Sequence, residues 1–297
     1  MASISCDWRG FCRVLVTVGL LALAIVGRSV ASEETAPTGS SSQRLLLIGQ
    51  GPDGGHARTT HEYLAGVQLV AKLLRREKNL EPIVVSADGE WRDGPQLLAR
   101  ADAAVLFVAE GAKWLSTDSV RLTAFRDLAK RGGGLVALHW ATGTKAAEPI
   151  EPFVQLFGGC HGGPDRQFKI LDVTPALATP THPILRGVQT SAVHEEFYFA
   201  LKLAAKDGAV TRNENDSAIT PLVKIPIDGE QSTVSWCWER PDGGRAFGFT
   251  GLHFHDNWKH ESYRRLVAQA VPWTLKRDVP KEGLDVSVSN DDLGLRY

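Results

Sequence analysis

Residues 245–260 read RAFGFTGLHFHDNWKH. Ala246–Phe249 is a short apolar run of the kind a buried strand needs. Gly251 breaks it, and His253, His255, Asp256 and Trp258 follow. A helical pattern then starts at Trp258 and places Tyr263, Leu266, Val267 and Ala270 on one face. In open α/β sheets, ligands bind in the crevice outside the carboxyl ends of the strands. A buried strand that ends in a histidine-rich, aromatic loop and then enters a helix has the layout of such a site. The stretch therefore predicts one wall of a functional crevice, built with other strand ends.

Those ends are found by working outward. Leu45–Ile48, Ile83–Val85, Ala103–Val108 and Leu135–Leu138 are continuous apolar runs, as expected of parallel strands covered on both faces. Helical patterns lie between them: Tyr63, Val67, Val70 and Leu74 on one face, then Pro95–Arg100, then Thr117–Lys130. Alternating strands and helices predict an α/β, doubly wound, mostly parallel sheet. Leu222–Ile225 and Thr233–Trp238, with the Pro241–Gly244 turn, predict an antiparallel extension of it. The edge at the strand ends then carries the glycine-rich loop Gly49–His56, Glu110 and His139-Trp140. That loop holds neither G-x-G-x-x-G nor G-x-x-x-x-G-K-[ST], which excludes a nucleotide-phosphate site of those types. His61, further along, reads as a solvent-facing loop residue. The middle of the chain offers a short helix at Pro152–Phe157, the stretch GGCHGG at 158–163, a strand at Phe168–Val173, a turn at His182–Gly187, and Glu195-Glu196 before an aromatic strand.

The 297 residues and a formal charge of −1 fit one larger globular domain with no basic footprint for nucleic acid. Arg9 and Arg13 precede the apolar run Val14–Val26, and Ser29-Val30-Ala31 supplies small residues for cleavage. The run is too short for a comfortable bilayer span and suits a signal peptide over residues 1–31, with an uncleaved anchor as the alternative. Export to the periplasm or the exterior is the expectation, with no stable membrane span after cleavage. Residues 32–43 read as a disordered linker, 44–277 as the α/β domain and 278–297 as a surface tail. Cys160 and Cys237 remain after cleavage and either pair or stay as buried free thiols.

Taken in order, five segments resemble the ThuA-like (trehalose utilisation) family, which has the class I glutamine amidotransferase-like fold. They are Leu45–His56, GGGLVALHWA at 132–141, FGGCHGG at 157–163, HPILRGV with HEEFYF at 182–199, and FGFTGLHFHDNWKHESYRRLVAQAVPW at 247–273. The resemblance implies a six-stranded flavodoxin-like core and a role in carbohydrate metabolism around keto-glycosides or disaccharides. It marks His139, His161, Glu196 and His253 as functional positions. Glutamine amidotransferases carry a nucleophilic Cys in the sharp turn after a strand; here that turn is Leu138-His139-Trp140-Ala141, which disfavours Cys chemistry.

Histidine moves protons near neutral pH, and a carboxylate orients it or serves as base. The expected catalytic set is Glu196 and His139 as acid and base, with His161 and His253 polarising the substrate. Gly51, His56, Trp140, Tyr198, His255, Asp256 and Trp258 are the expected sugar-binding positions. Neutral imidazoles and a carboxylate also suit a divalent metal such as zinc, so His139, His161, His253 and Glu196 form a candidate ligand set. The rival reading is a non-catalytic sugar-binding or interaction protein.

Overall fold

The computed structural model describes residues 42–295 apart from Asp53. The expected signal peptide and residues 32–41 of the expected linker lie outside the described residues. Gln43, expected to end that linker, already belongs to the first strand.

Three strand–helix units and a fourth strand come first. They are β1 (Gln43–Gly49), α1 (Tyr63–Leu74), β2 (Leu80–Ser86), α2 (Gly94–Ala99), β3 (Ala103–Phe107), α3 (Gly111–Ser116), α4 (Ser119–Lys130) and β4 (Gly134–Leu138). Then follow α5 (Ile150–Phe157), β5 (Gly159–Gly162), β6 (Gln167–Val173), β7 (Val193–Phe199), β8 (Thr220–Ile227), β9 (Glu230–Glu239), β10 (Arg245–Phe249) and α6 (Glu261–Thr274). The main sheet runs β2-β1-β3-β4-β10-β9-β8, with Ala176–Leu177 pairing on the edge of β8. The first five strands are parallel and the rest antiparallel. The expected doubly wound, mostly parallel sheet with an antiparallel extension is what the chain forms, its parallel part holding five strands.

The apolar runs explain why helices cover both faces. Successive strand residues point to opposite sides. Leu45, Leu47, Val105 and Phe107 join one core with α1 and α6, while Leu46, Ile48, Leu106 and Ala137 join the other with α4 and α5. β6 and β7 stand apart as a two-stranded antiparallel ribbon. Beside β4, α3 comes so close to the following turn that a Cβ on Gly111 would lie 2.2 Å from the carbonyl oxygen of Ala141. The sequence pattern predicts a helix only from Thr117, and α3 precedes it as a helix of its own; Asp118, which accepts hydrogen bonds from Val120 and Arg121 N–H, starts α4 separately.

The C-terminal segment is a correction. Residues 278–295 do not form a loose surface tail: Val279, Leu284 and Val286 are buried. The Arg264 guanidinium donates to Val286 O at 2.8 Å, Gln269 accepts from Leu284 N–H at 2.8 Å, and Lys72 pairs with Asp292 near α7 (Asn290–Leu293). The segment straps α1 to α6. Truncation after Asp278 is expected to cost about 4 kcal/mol, at roughly 1.5 kcal/mol per buried side chain. Thermal denaturation checks this, and an unchanged midpoint would contradict it.

Candidate active site

Four loops and strands meet at the carboxyl ends of β1, β4 and β10. His139 follows β4 directly and has φ +48, a left-handed turn that few side chains adopt. His61 precedes α1 with φ +55, and Leu252, just before His253, has φ +81. Strain of this kind costs about 1–3 kcal/mol per residue and persists where surrounding structure enforces it. Here the enforcement is backbone pairing. His61 N–H donates to His253 O at 3.0 Å, His255 N–H donates to Thr59 O at 2.7 Å, and Thr60 bridges Phe254.

β7 supplies the carboxylates, and its alternation separates their tasks. Glu196 and Tyr198 face the cavity. Glu195 faces inward, fully buried, and accepts four hydrogen bonds: Glu196 N–H (2.9 Å) and His253 N–H (3.1 Å) on Oε1, Leu252 N–H (2.8 Å) and Asn257 Nδ2 (3.0 Å) on Oε2. Burial pushes its carboxyl up to about 7, and these donors pull against that shift.

Three imidazoles and one carboxylate converge. His61 Nε2 lies 2.9 Å from His253 Nδ1, which lies 3.3 Å from His139 Nε2. Glu196 Oε1 lies 3.5 Å from His253 Nδ1 and 3.9 Å from His139 Nε2. One ligand-capable atom from each of His61, His139, His253 and Glu196 falls within 4.8 Å of the others. All four residues are buried. Burial and the neighbouring His61 and His253 hold His139 well below the usual histidine range, and burial raises Glu196. Tyr198 Oη lies 3.1 Å from His139 Nε2, and burial raises its phenol well above the usual value.

Above this cluster a cavity of about 190 Å³ is lined by His56, His61, Trp140, Lys145, His161, Arg166, Phe168, Glu196 and Tyr198. His161 stacks on Tyr198 with ring centroids 4.1 Å apart. Burial, then Lys202 and Arg166, push it down to about 3, so it stays neutral in the working range.

Of the expected positions, the structure brings together His139, Glu196, His253, His161, His56, Trp140 and Tyr198. His161 is a correction to the expected ligand set: it lines the cavity, and His61 takes its place in the convergent four. Four further expected sugar-binding positions do not line this cavity. His255 turns away and bonds Leu293 O at 3.2 Å, Asp256 is exposed, and Trp258 is buried beneath α1, where it lies near Gly66. Gly51 binds the Asp88 carboxylate through its N–H and does not line the cavity. The reading missed His61, Lys145, Arg166 and Phe168. For His61 the available signal was its place at the entry to α1, on the same edge as the glycine loop.

Cys160 and Cys237 are free and buried, so the pairing alternative falls. His182 Nδ1 accepts the Ile184 N–H, which leaves the proton on Nε2, 3.4 Å from Cys237 Sγ. That histidine cannot take the thiol's proton, and burial pushes the thiol up to about 12. Cys237 and His182 therefore do not form a Cys–His nucleophile.

Comparison with known proteins gives a match to the ThuA family, described as trehalose utilisation, over residues 54–274. Among solved structures, the chain is similar to a putative ThuA-like protein from Bacteroides uniformis at 13% identity and a TM-score of 0.59, covering 85% of this chain and 98% of that one. It is also similar to a cytoplasmic protein from Salmonella typhimurium at 14% identity and a TM-score of 0.50, covering 78% and 98%. At these identities the likeness concerns the fold. No curated protein matches the chain.

Glu195 lies behind the site, not in it. Glu195→Ala is expected to destabilise the chain by about 3–5 kcal/mol, because it leaves buried N–H donors unsatisfied. Glu195→Gln, whose amide oxygen still accepts, is expected to lose less. Urea unfolding measures both, and wild-type stability in the alanine variant would contradict this role.

Proposed function

The chain belongs to the ThuA (trehalose utilisation) family, and from that premise we propose that it is an enzyme of carbohydrate metabolism acting on keto-glycosides or disaccharides. The observation that carries this reading is the convergence of His61, His139, His253 and Glu196 beneath an open cavity. A non-catalytic sugar binder needs hydroxyl partners and aromatic faces, but not four buried ionisable groups in contact.

The cavity suits one sugar ring. Trp140 and Phe168 line it with apolar faces, while Lys145, Arg166 and His56 supply donors. A ketone on a sugar ring makes the adjacent C–H acidic, so the chemistry needs a base near that carbon and donors near the carbonyl oxygen. Glu196 is the candidate base: it lines the cavity, and burial raises its carboxyl toward the range where it both accepts and returns a proton. The Tyr198 hydroxyl and the His161 ring line the same cavity and are the candidates for the carbonyl oxygen. His139 and His253 sit behind and hold Glu196 and Tyr198 in place.

Activity on a keto-glycoside tests this. Glu196→Gln and His61→Ala are each expected to lower kcat/KM by about 10²-fold or more with the circular dichroism spectrum retained. Full activity in both folded variants would overturn the reading.

We also propose that the protein is exported, on the support of Arg9, Arg13, the run Val14–Val26 and the small residues Ser29-Val30-Ala31. Mass spectrometry of the exported fraction is expected to find a mature chain starting at Ser32. Retention of Met1 there would contradict it.

A further inference from the structure

We propose that His61, His139 and His253, together with Glu196, bind one divalent first-row transition-metal ion of the zinc type. This deepens the sugar-enzyme reading and rests on it for the ion's use, though not for its binding: Glu196 would join the set through Oε1, the oxygen that faces the histidines, which leaves its other oxygen as the base.

Tetrahedral zinc holds ligands at about 2.0–2.1 Å, which sets neighbouring ligand atoms roughly 3.3–3.4 Å apart. The distances here are 2.9 Å (His61 Nε2 to His253 Nδ1), 3.3 Å (His253 Nδ1 to His139 Nε2), 3.5 Å (His253 Nδ1 to Glu196 Oε1) and 3.9 Å (His139 Nε2 to Glu196 Oε1). These four distances fall on either side of that edge, and one ligand-capable atom from each of the four residues lies within 4.8 Å of the others.

His139 Nδ1 lies 2.9 Å from Thr250 O, which can only accept. The proton is therefore on Nδ1, and Nε2 presents its lone pair to the cluster. A ligand histidine whose other nitrogen donates to a backbone carbonyl is the usual arrangement around a metal. The Tyr198 hydroxyl, 3.1 Å away, is the other group that faces this lone pair, and His61 Nε2 and His253 Nδ1 lie beside it, 2.9 Å from each other. A cation accepts from all three rings at once.

The three histidines are firmly held. Their rings meet with centroids 4.6 Å (His61–His253), 5.0 Å (His61–His139) and 5.3 Å (His139–His253) apart. Two of the three histidines sit at strained positive φ, and the backbones of His61 and His253 are bonded to each other. Glu195 fixes the His253 N–H. A preformed buried site of this kind suits an ion that needs defined geometry. The donor set points to its class: three imidazoles and one carboxylate suit zinc, cobalt, nickel or iron, whereas magnesium and calcium take oxygen cages.

The full purified chain, stripped with chelator, loaded with zinc or cobalt and dialysed, tests the site by elemental analysis. About one equivalent per chain is expected for the wild type and for His161→Ala, whose ring lies outside the set. His61→Ala and His253→Ala are each expected to bind at least tenfold more weakly. Cobalt is expected to give visible d–d absorption in the wild type that both ligand variants lose. Less than a tenth of an equivalent in the folded wild type would overturn the proposal, as would wild-type loading in His61→Ala and His253→Ala. Because loading is read without turnover, the two readings fail separately. A chain that binds the metal and leaves glycosides unchanged supports the site and overturns the sugar reading. A chain that turns glycosides over and binds none overturns the site alone.

Discussion

A buried carboxylate is costly unless its lone pairs are bonded, and Glu195 meets that demand with two N–H donors on each oxygen. Three of those donors are backbone groups of β7 and of the loop after β10. The ribbon β6–β7 is not part of the main sheet, so the Glu195 bonds couple the element that carries Glu196 and Tyr198 to the loop that carries His253. Both sides of the cluster depend on that coupling. Strand alternation does the rest, because turning Glu195 inward turns Glu196 and Tyr198 toward the cavity.

The remaining histidines come from sheet topology. β4 and β10 are parallel neighbours, with Leu138 opposite Phe249, so the loops that follow them start side by side. That is how His139 and His253, 114 residues apart, come within 3.3 Å. His61 arrives from the β1 side and is drawn in by the bridge between Thr60 and Phe254. The strain at His61, His139 and Leu252 is held by these contacts, as expected where geometry serves chemistry.

Much of the fold could be read from the chain because the apolar runs Leu45–Ile48, Ala103–Phe107 and Leu135–Leu138 alternate with helical patterns, and periodicity reports this directly. His139, His253 and Glu196 were legible for the same reason, since each lies on a strand or just past its end. His61 was not. It sits in a loop whose left-handed turn reverses the side chain's direction, and no residue spacing encodes that turn. His255 shows the converse: two residues after His253, it would share a face in an extended chain, but the backbone enters a 3₁₀ turn at His255 and sends the ring to Leu293. The same turn takes Trp258 into the core. The C-terminal strap was hidden because Leu284, Val286 and Val288 alternate over too few residues to mark an element, and Val279 stands apart from them; Leu284 and Val286 pack with Leu73 of α1 and Ala268 of α6.

The central claim is that three histidines and one glutamate act as a single coordinating centre at the floor of the cavity. Anomalous diffraction from crystals soaked in cobalt tests it most directly. One strong peak about 2.0–2.2 Å from His61 Nε2, His139 Nε2 and His253 Nδ1 is the predicted result. A map without a peak there, or with the ion held by His56 and His161 instead, would contradict it.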